Sequence, residues 1–240
     1  MSTQPSPTPL SAAQIATLAK LDTPTVCNAL ELLDPKSFES SFTHRPLVCA
    51  FPELPSIVGY ACTATIRARR PSGEPPAERR KLRFAWFDYI AATPAPRICV
   101  LQDLDEPVGF GAFWGEVQSN VHKALGCAGV VTNGSVRDLH IIAPGFQLLA
   151  GSVGPSHAYV HLVEFGVQVE VAEMTVKSGD LIHADRHGAV VIPHHLAREV
   201  VGAADKCARK EAIILGAAKS PNFSVQALKD AITKAEDSSY

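Results

Sequence analysis

An α/β fold built on a central βαβαβ unit and followed by a β-rich layer is predicted by three observations. From residue 97 onward, "RICVLQ", "WGEVQSNVHKALG", "CAGVVTN", "SVRDLHIIA" and "FQLLAG" read as strand, helix, strand, short helix and strand. The strands in this run are almost continuously apolar, as expected of a parallel sheet covered by helices. Downstream, "VEFGVQVEVAEMTVKSGDLIHADRHGAVVIP" breaks into short strands with turns at Ser178-Gly179 and Arg186-His187-Gly188.

Taken in order, residues 1–12 are rich in Ser, Thr and Pro and read as a mobile arm, with a single domain over 13–240. "LDTPTVCNALELL" reads as a helix: Asp22 or Thr23 can cap it, Pro24 suits the first turn, and Val26, Leu30 and Leu33 recur at helical spacing. "GYACTATIRAR" alternates as a strand. The stretch "RARRPSGEPPAERRKLR", Arg67 to Arg83, reads as an exposed, solvated loop rather than a nucleic-acid patch. In "WGEVQSNVHKALG", Trp114, Val117, Val121, Ala124 and Leu125 form one apolar stripe and Gly126 ends the helix. "CAGVVTN" runs into a turn at Asn133-Gly134, and a final helix spans about Leu196 to Leu215.

Composition narrows the function classes. Hydrophobic residues make up 46% and charged residues 19% of 240, which suits an ordinary globular chain with a sizeable core. A net charge of -2 gives no global attraction to nucleic acid or anionic lipid. No apolar run approaches the ~20 residues a bilayer span needs, and the N-terminus lacks signal-peptide features. A cytoplasmic location without nucleic-acid or membrane partners is therefore expected. The six cysteines contain no CxxC pair, which disfavours both a disulfide framework and a thiolate metal site.

The chemistry-bearing candidate is Arg137-Asp138, at the carboxyl end of a parallel strand, where ligands bind in such sheets. Ser135 and Asp138 match the spacing of a capping box, so Asp138 could simply close a helix end. Capping does not require Arg137, whose planar guanidinium fork suits a carboxylate or a polarised ketone oxygen. Asp138 also offers a hard oxygen ligand for Mg²⁺ or Mn²⁺. The glycines of "GFGAFWGEV" precede a helix start, where bare N–H groups can receive a carboxylate. That loop lacks the spacing of a nucleotide-binding motif, and Glu116 can be read as a favourable first-turn acid. Of nine histidines, His183 and His187 flank Asp185, while His157 and His161 stand at i, i+4. A hairpin turn at His187 is expected to rotate it off the shared face, and surface or strand-end roles outweigh zinc. No G-x-S-x-G motif or activated thiol points to a nucleophile.

"WGEVQSNVHKALGCAGVVTNGSVRD" resembles the G-[DE]…A…G-x-x-G-x-V-x-[DN]-G-x-x-R-D signature of RraA-like proteins. "SGDLIHADRHGAVVIP", "LDTPTVCNAL" and "GYACTATI" are similar to other segments of that family, so the resemblance covers about residues 20 to 215. It implies a compact α/β sandwich with a β-rich layer, assembled as a homotrimer or a hexamer with sites at subunit interfaces. It implies class II 4-hydroxy-4-methyl-2-oxoglutarate aldolase and oxaloacetate decarboxylase chemistry, with a 2-keto acid substrate and Mg²⁺ or Mn²⁺ as cofactor. By the same resemblance, Asp138 ligates the metal, Arg137 contacts the substrate, and Glu116 holds a metal-bound water. Gly115, Glu116, Val117 and Gln118 present amides to the pyruvyl carboxylate, and Glu211 completes a neighbouring subunit's site. Loss of either a carbonyl fragment or CO₂ leaves a pyruvate enolate, whose charge the metal and Arg137 can stabilise. The alternative implied by the family is a regulatory module that inhibits ribonuclease E by protein contact. Asn133 replaces the more usual Asp before Gly134, Asn28 stands where the first helix often has Asp, "TPAPRIC" replaces the usual P-G-D-V entry to the central strand, and Lys123 lies away from the turn.

Overall fold

The structure, a computed structural model, describes residues 8–36 and 41–238. Two helices come first, α1 (Ala12–Leu18) and α2 (Thr23–Leu33). Ser11 and Gln14 form a capping box on α1. Asp22 caps α2 by accepting the Thr25 N–H at 2.8 Å, and Pro24 occupies its first turn. There follow β1 (Val48–Cys49), β2 (Ile57–Arg67), α3 (Pro76–Ala92), β3 (Arg97–Asp103), β4 (Ala112–Trp114) and α4 (Glu116–Ala124). Next come β5 (Cys127–Val136), a 3-10 turn (Leu139–Ile141), β6 (Gln147–Val153), β7 (His161–Phe165), β8 (Val169–Val171) and β9 (Met174–Val176). The chain closes with β10 (Leu181–Asp185), β11 (Gly188–Ile192), α5 (Val200–Ala218) and α6 (Val225–Asp237).

Among the described residues, nine strands make one sheet in the order β1-β6-β5-β3-β2-β10-β11, with β4 beside β5 and β7 beside β2. The pairs β2–β3, β3–β5 and β5–β6 are parallel, so the expected βαβαβ unit is the middle of the sheet. Strands β1, β7 and β10 join antiparallel. The expected β-rich layer is thus split, since β7, β10 and β11 widen the main sheet while β8 and β9 form a separate ribbon.

Burial on β2 explains the layering. Val58 and Tyr60 pack with α1, α2 and α5 around Leu18, Val26 and Val200. Cys62, Ala64 and Ile66 continue that face against Trp86 and Ile90 of α3. The alternate residues Ile57 and Ala61 face the ribbon, against Val169, Val171, Met174 and Val176. Helices therefore cover one face and a β-ribbon the other, a sandwich about one buried sheet.

Several sequence-based expectations need correction. Residues 1–7 of the expected arm lie outside the described residues. Leu10 is docked, however, buried with its N–H on the Tyr60 hydroxyl at 2.7 Å. The Arg/Pro-rich stretch is not all loop: α3 begins at Pro76, because Trp86 and Ile90 bury one face and Pro suits the first turn. Asn133-Gly134 is no turn. Strand β5 continues to Val136, held by β4 and β6, and takes up the pair as a register shift between Thr132 and Ser135. The short helix after it shrinks to a 3-10 turn. The helix expected to be final starts at Val200 and is followed by α6, left out of the sequence-based expectation although Val225, Leu228, Ala231, Ile232 and Ala235 recur at helical spacing. On α4 the inward residues are Ser119 and His122, while Val117 of the expected apolar stripe is 69% exposed.

Candidate active site

The end of β5 places Arg137 and Asp138 against the start of α4. Parallel pairing of β4 with β5 brings Trp114 beside Val136, and the Arg137 N–H donates to the Trp114 carbonyl at 2.9 Å. The next residue, Asp138, adopts a left-handed backbone (φ 58, ψ 33), a conformation Asp tolerates better than most side chains. Its carboxylate is thereby turned onto the first turn of α4. The Glu116 N–H donates to Asp138 Oδ2 at 3.4 Å, and an Arg137 guanidinium nitrogen stands 3.6 Å from the same oxygen.

Asp138 is therefore a cap, but not the cap its spacing suggests. Ser135 lies inside β5, paired with Ala112 and Ser152, and its buried hydroxyl has no partner among the described residues. The capping box between Ser135 and Asp138 does not form, since Ser135 is held as strand. Asp138 serves α4 instead, and places negative charge where the helix dipole favours it.

Gly115 makes this approach possible. A Cβ there would lie 2.5 Å from Asp138 Oδ2 and 3.2 Å from Arg137 Cγ. Its backbone is extended (φ -162), so the requirement is space rather than backbone freedom. Arg137 and Asp138 keep 34% and 25% of their side chains exposed, so both remain reachable from solvent. Glu116 and Val117 are exposed and Gln118 half-buried at the head of α4. Gly115, Glu116, Arg137 and Asp138 are thus brought together, with Val117 and Gln118 following in the same turn.

The supports of this turn are buried and neutral. Ser119 Oγ donates to the Glu116 carbonyl at 2.9 Å and accepts the Ala143 N–H at 3.1 Å, which ties α4 to the segment before β6. His122 is fully buried; its Nδ1 donates to the Gln118 carbonyl, and its Nε2 accepts from Trp86 Nε1 at 2.9 Å. Burial pushes the His122 pKa down to about 4, so the ring stays neutral and joins α3 to α4. Lys123 is tied to the Pro144 carbonyl at the far end of the helix. Asn133 explains one departure from the family pattern: Oδ1 accepts the Asp103 N–H at 2.7 Å, and Nδ2 donates to the Asp103 carbonyl at 3.0 Å. An aspartate could make the first bond but not the second.

Other candidates fall elsewhere. Glu211 sits on α5, where it accepts from Asn28 Nδ2 at 3.5 Å. Its helix packs on α2, beside β10 and β11, so it lies apart from Arg137 within one chain. His157 and His161 occupy a turn and the start of β7 rather than one helix, and each ring bonds a nearby carbonyl. His187 is not rotated away from Asp185, because its Nδ1 lies 3.1 Å from Asp185 Oδ1. Sequence reasoning missed the supports Ser119 and His122, whose polar character disguised them as surface positions. It also missed a cationic cleft along α3, signalled by Arg79, Arg83, Trp86 and Ile90 at helical spacing.

The RraA-like family, described as Aldolase/RraA, matches residues 23–191. An uncharacterized protein of Methanocaldococcus jannaschii is 35% identical over 112 residues, 44% of this chain and 54% of that protein. The chain thus matches about half the length of that curated relative. A crystal structure of an uncharacterized protein from Pseudomonas syringae pv. tomato is similar with a TM-score of 0.71 and 23% identity, covering 98% of this chain and 99% of that one. Streptomyces coelicolor RraAS2, titled an unusual member of the RNase ES inhibitor RraA protein family, gives a TM-score of 0.65 at 21% identity, over 84% and 95% of the two chains. At these identities the structures share the fold.

Proposed function

The chain belongs to the RraA-like family, and from that premise we propose that it is a divalent-metal-dependent carbon–carbon lyase acting on pyruvyl substrates. The carrying observation is the Asp138 carboxylate, turned onto the head of α4 beside Arg137 and admitted there by the missing side chain of Gly115. A family member acting only by protein contact has no need of this arrangement.

The donor set tests the metal. Among the described residues, no group of three or more His, Cys, Asp or Glu converges to hold an ion. Asp138 is a single hard carboxylate with one long N–H bond. Mg²⁺ and Mn²⁺ suit such a set, since they bind through one or two carboxylates and complete their shell with water and substrate oxygens. Asp138 would hold the ion, with Glu116 positioned to orient a water bound to it. When bound, the ion would supply Lewis-acid polarisation of the 2-keto group.

The remaining work falls to the chain. Arg137 offers a planar fork to the oxygens of the keto acid and answers the negative charge that builds up as the bond breaks. Amides of Gly115 to Gln118 receive the substrate carboxylate at the positive end of α4. Ser119 and His122 hold that turn still from behind. Departure of a carbonyl fragment or of CO₂ leaves the electron pair on the same carbon, so one site serves aldol cleavage and decarboxylation alike.

A site shared between subunits accounts for two further features. Val108, Phe110, Val117, Ile141 and Val153 are exposed, and all lie near the carboxyl ends of β3, β5 and β6 or at the head of α4. An apolar rim of this kind marks a partner surface, and a closed homotrimer or hexamer would cover it. Glu211 of one chain would then serve the next. The deciding experiment measures pyruvate release from oxaloacetate and 4-hydroxy-4-methyl-2-oxoglutarate with Mg²⁺, Mn²⁺ or EDTA. Release that needs the ion supports the reading. Folded, assembled protein that releases no pyruvate with either ion, or turnover indifferent to EDTA, overturns it.

A further inference from the structure

We propose that the cleft between α3, the β4–α4 junction and the start of β7 is a binding site for a small organic anion with a flat apolar body, of the aryl carboxylate class. The cavity measures about 420 Å³, within the range of small-molecule sites. This assignment does not depend on the Arg137–Asp138 chemistry.

The cleft is built by one face of α3. Arg79 and Arg83 follow at a step of four residues and Arg80 flanks them, so the cations line up beside the half-buried rings of Phe87 and Phe113, with Trp86 buried beneath. Pro76, Leu82, Val160 and Leu162 add further apolar lining. Arg79 and Arg83 at i, i+4, and Arg80 and Arg83 at i, i+3, repel each other along the helix. None of the three makes an ion pair among the described residues, and no carboxylate lines the cavity. Mutual repulsion without a protein counter-charge is relieved by an anionic ligand.

The neighbouring part of the same Arg-rich stretch behaves differently. Arg67 pairs with Asp105 at 3.4 Å, and Arg69 donates to the Glu106 carbonyl at 3.0 Å while standing 5.0 Å over the Phe110 ring. Those arginines are spent on the fold, and carboxylates share their cavity. Arg79, Arg80 and Arg83 on α3, by contrast, have no ion pair among the described residues and stand beside aromatic carbon. Guanidinium forks pair with a carboxylate in bidentate fashion and stack on flat π systems. A bare phosphate would leave the apolar floor unused, and a neutral aromatic would leave the charge unanswered.

Calorimetric titration of the full chain with 2-naphthoate, 2-naphthamide and inorganic phosphate tests this. The acid is expected to bind at one equivalent per chain, at least ~10-fold more tightly than either the amide or phosphate, the factor one charge-assisted pair supplies. Arg79→Gln with Arg83→Gln, both exposed and verified as folded by circular dichroism, should weaken it by at least ~10-fold. Arg137→Ala should leave it unchanged. Equal binding of acid and amide, indifference to the double substitution, or loss of binding in Arg137→Ala each overturns the proposal. So does a heparin oligosaccharide that binds while naphthoate does not, which would make this face a polyanion surface.

Discussion

Two aspartates in this molecule stand at or just past a strand end and cap a helix that begins elsewhere in the chain, and they are used in opposite ways. Asp185 ends β10 and accepts the first N–H of α2, from Thr23, at 2.9 Å. It also accepts the His187 N–H at 2.8 Å and faces the His187 ring at 3.1 Å, and only 6% of the residue is exposed. Asp138 follows β5 and accepts the first N–H of α4, but at 3.4 Å, with a left-handed backbone and a quarter of its side chain exposed. The first carboxylate has both oxygens engaged and little access to water. The second keeps lone pairs turned to solvent beside a guanidinium. Identical residues in identical topological roles thus separate into a fastening and a ligand by how completely their hydrogen bonds are satisfied.

The largest test of that difference is Asp138→Ala. Metal-dependent pyruvate release should disappear, by at least ~1,000-fold, while stability falls by only about 1 kcal/mol, the usual cost of a cap. Denaturant titration alongside the assay separates the two effects. Full activity with Mg²⁺ would show that Asp138 is no more than a fastening.

Arg137→Lys comes next. Lysine keeps the charge and loses the planar fork, so kcat/KM should drop by about 100-fold, close to 2.7 kcal/mol of transition-state binding. Near-normal kinetics would remove Arg137 from the site. Gly115→Ala should follow at about 10-fold, since the added methyl, 2.5 Å from Asp138 Oδ2, must push the carboxylate off the head of α4. An unchanged rate there would mean that the close approach has no part in turnover.

Much of this was legible in the sequence, and the failures have physical causes. The parallel strands β3, β5 and β6 announce themselves because a strand buried on both faces must be apolar throughout. Arg137 and Asp138 are visible as a pair beside a strand end. Which helix Asp138 caps is not, because Glu116 lies 22 residues earlier and is brought there by the pairing of β4 with β5. Asn133-Gly134 carries a strong local turn signal, overridden by the neighbouring strands and by the hold of Asn133 on the Asp103 backbone. Helix α6 carried its own signal, Val225, Leu228, Ala231 and Ala235 at helical spacing behind the Ser224 cap, whereas α3 hid because its arginines masked Trp86 and Ile90. Local pattern was readable; partnership across the sheet was not.

The smallest effect is expected at Asp185→Asn. Burial alone would raise the Asp185 pKa, but the donors from Thr23 and His187 outweigh it and hold the carboxyl below the usual 3.8. A depressed folded value means that the charged form contributes fully above the usual carboxylate value. That contribution is lost as pH falls through the folded value. Asparagine keeps one acceptor oxygen but turns an N–H₂ toward the second donor, so the variant should lose about 1 kcal/mol at neutral pH. It should keep its turnover, since Asp185 caps α2 beside β10, on the far side of β2 from α4. The stability gap to the unsubstituted chain should narrow as pH drops below 3.8, because the protonated acid then resembles the amide. Denaturant midpoints at pH 7, 4.5 and 3 would measure this. A gap that stays constant with pH, or a variant that stays folded but loses activity, would break the distinction between the two aspartates.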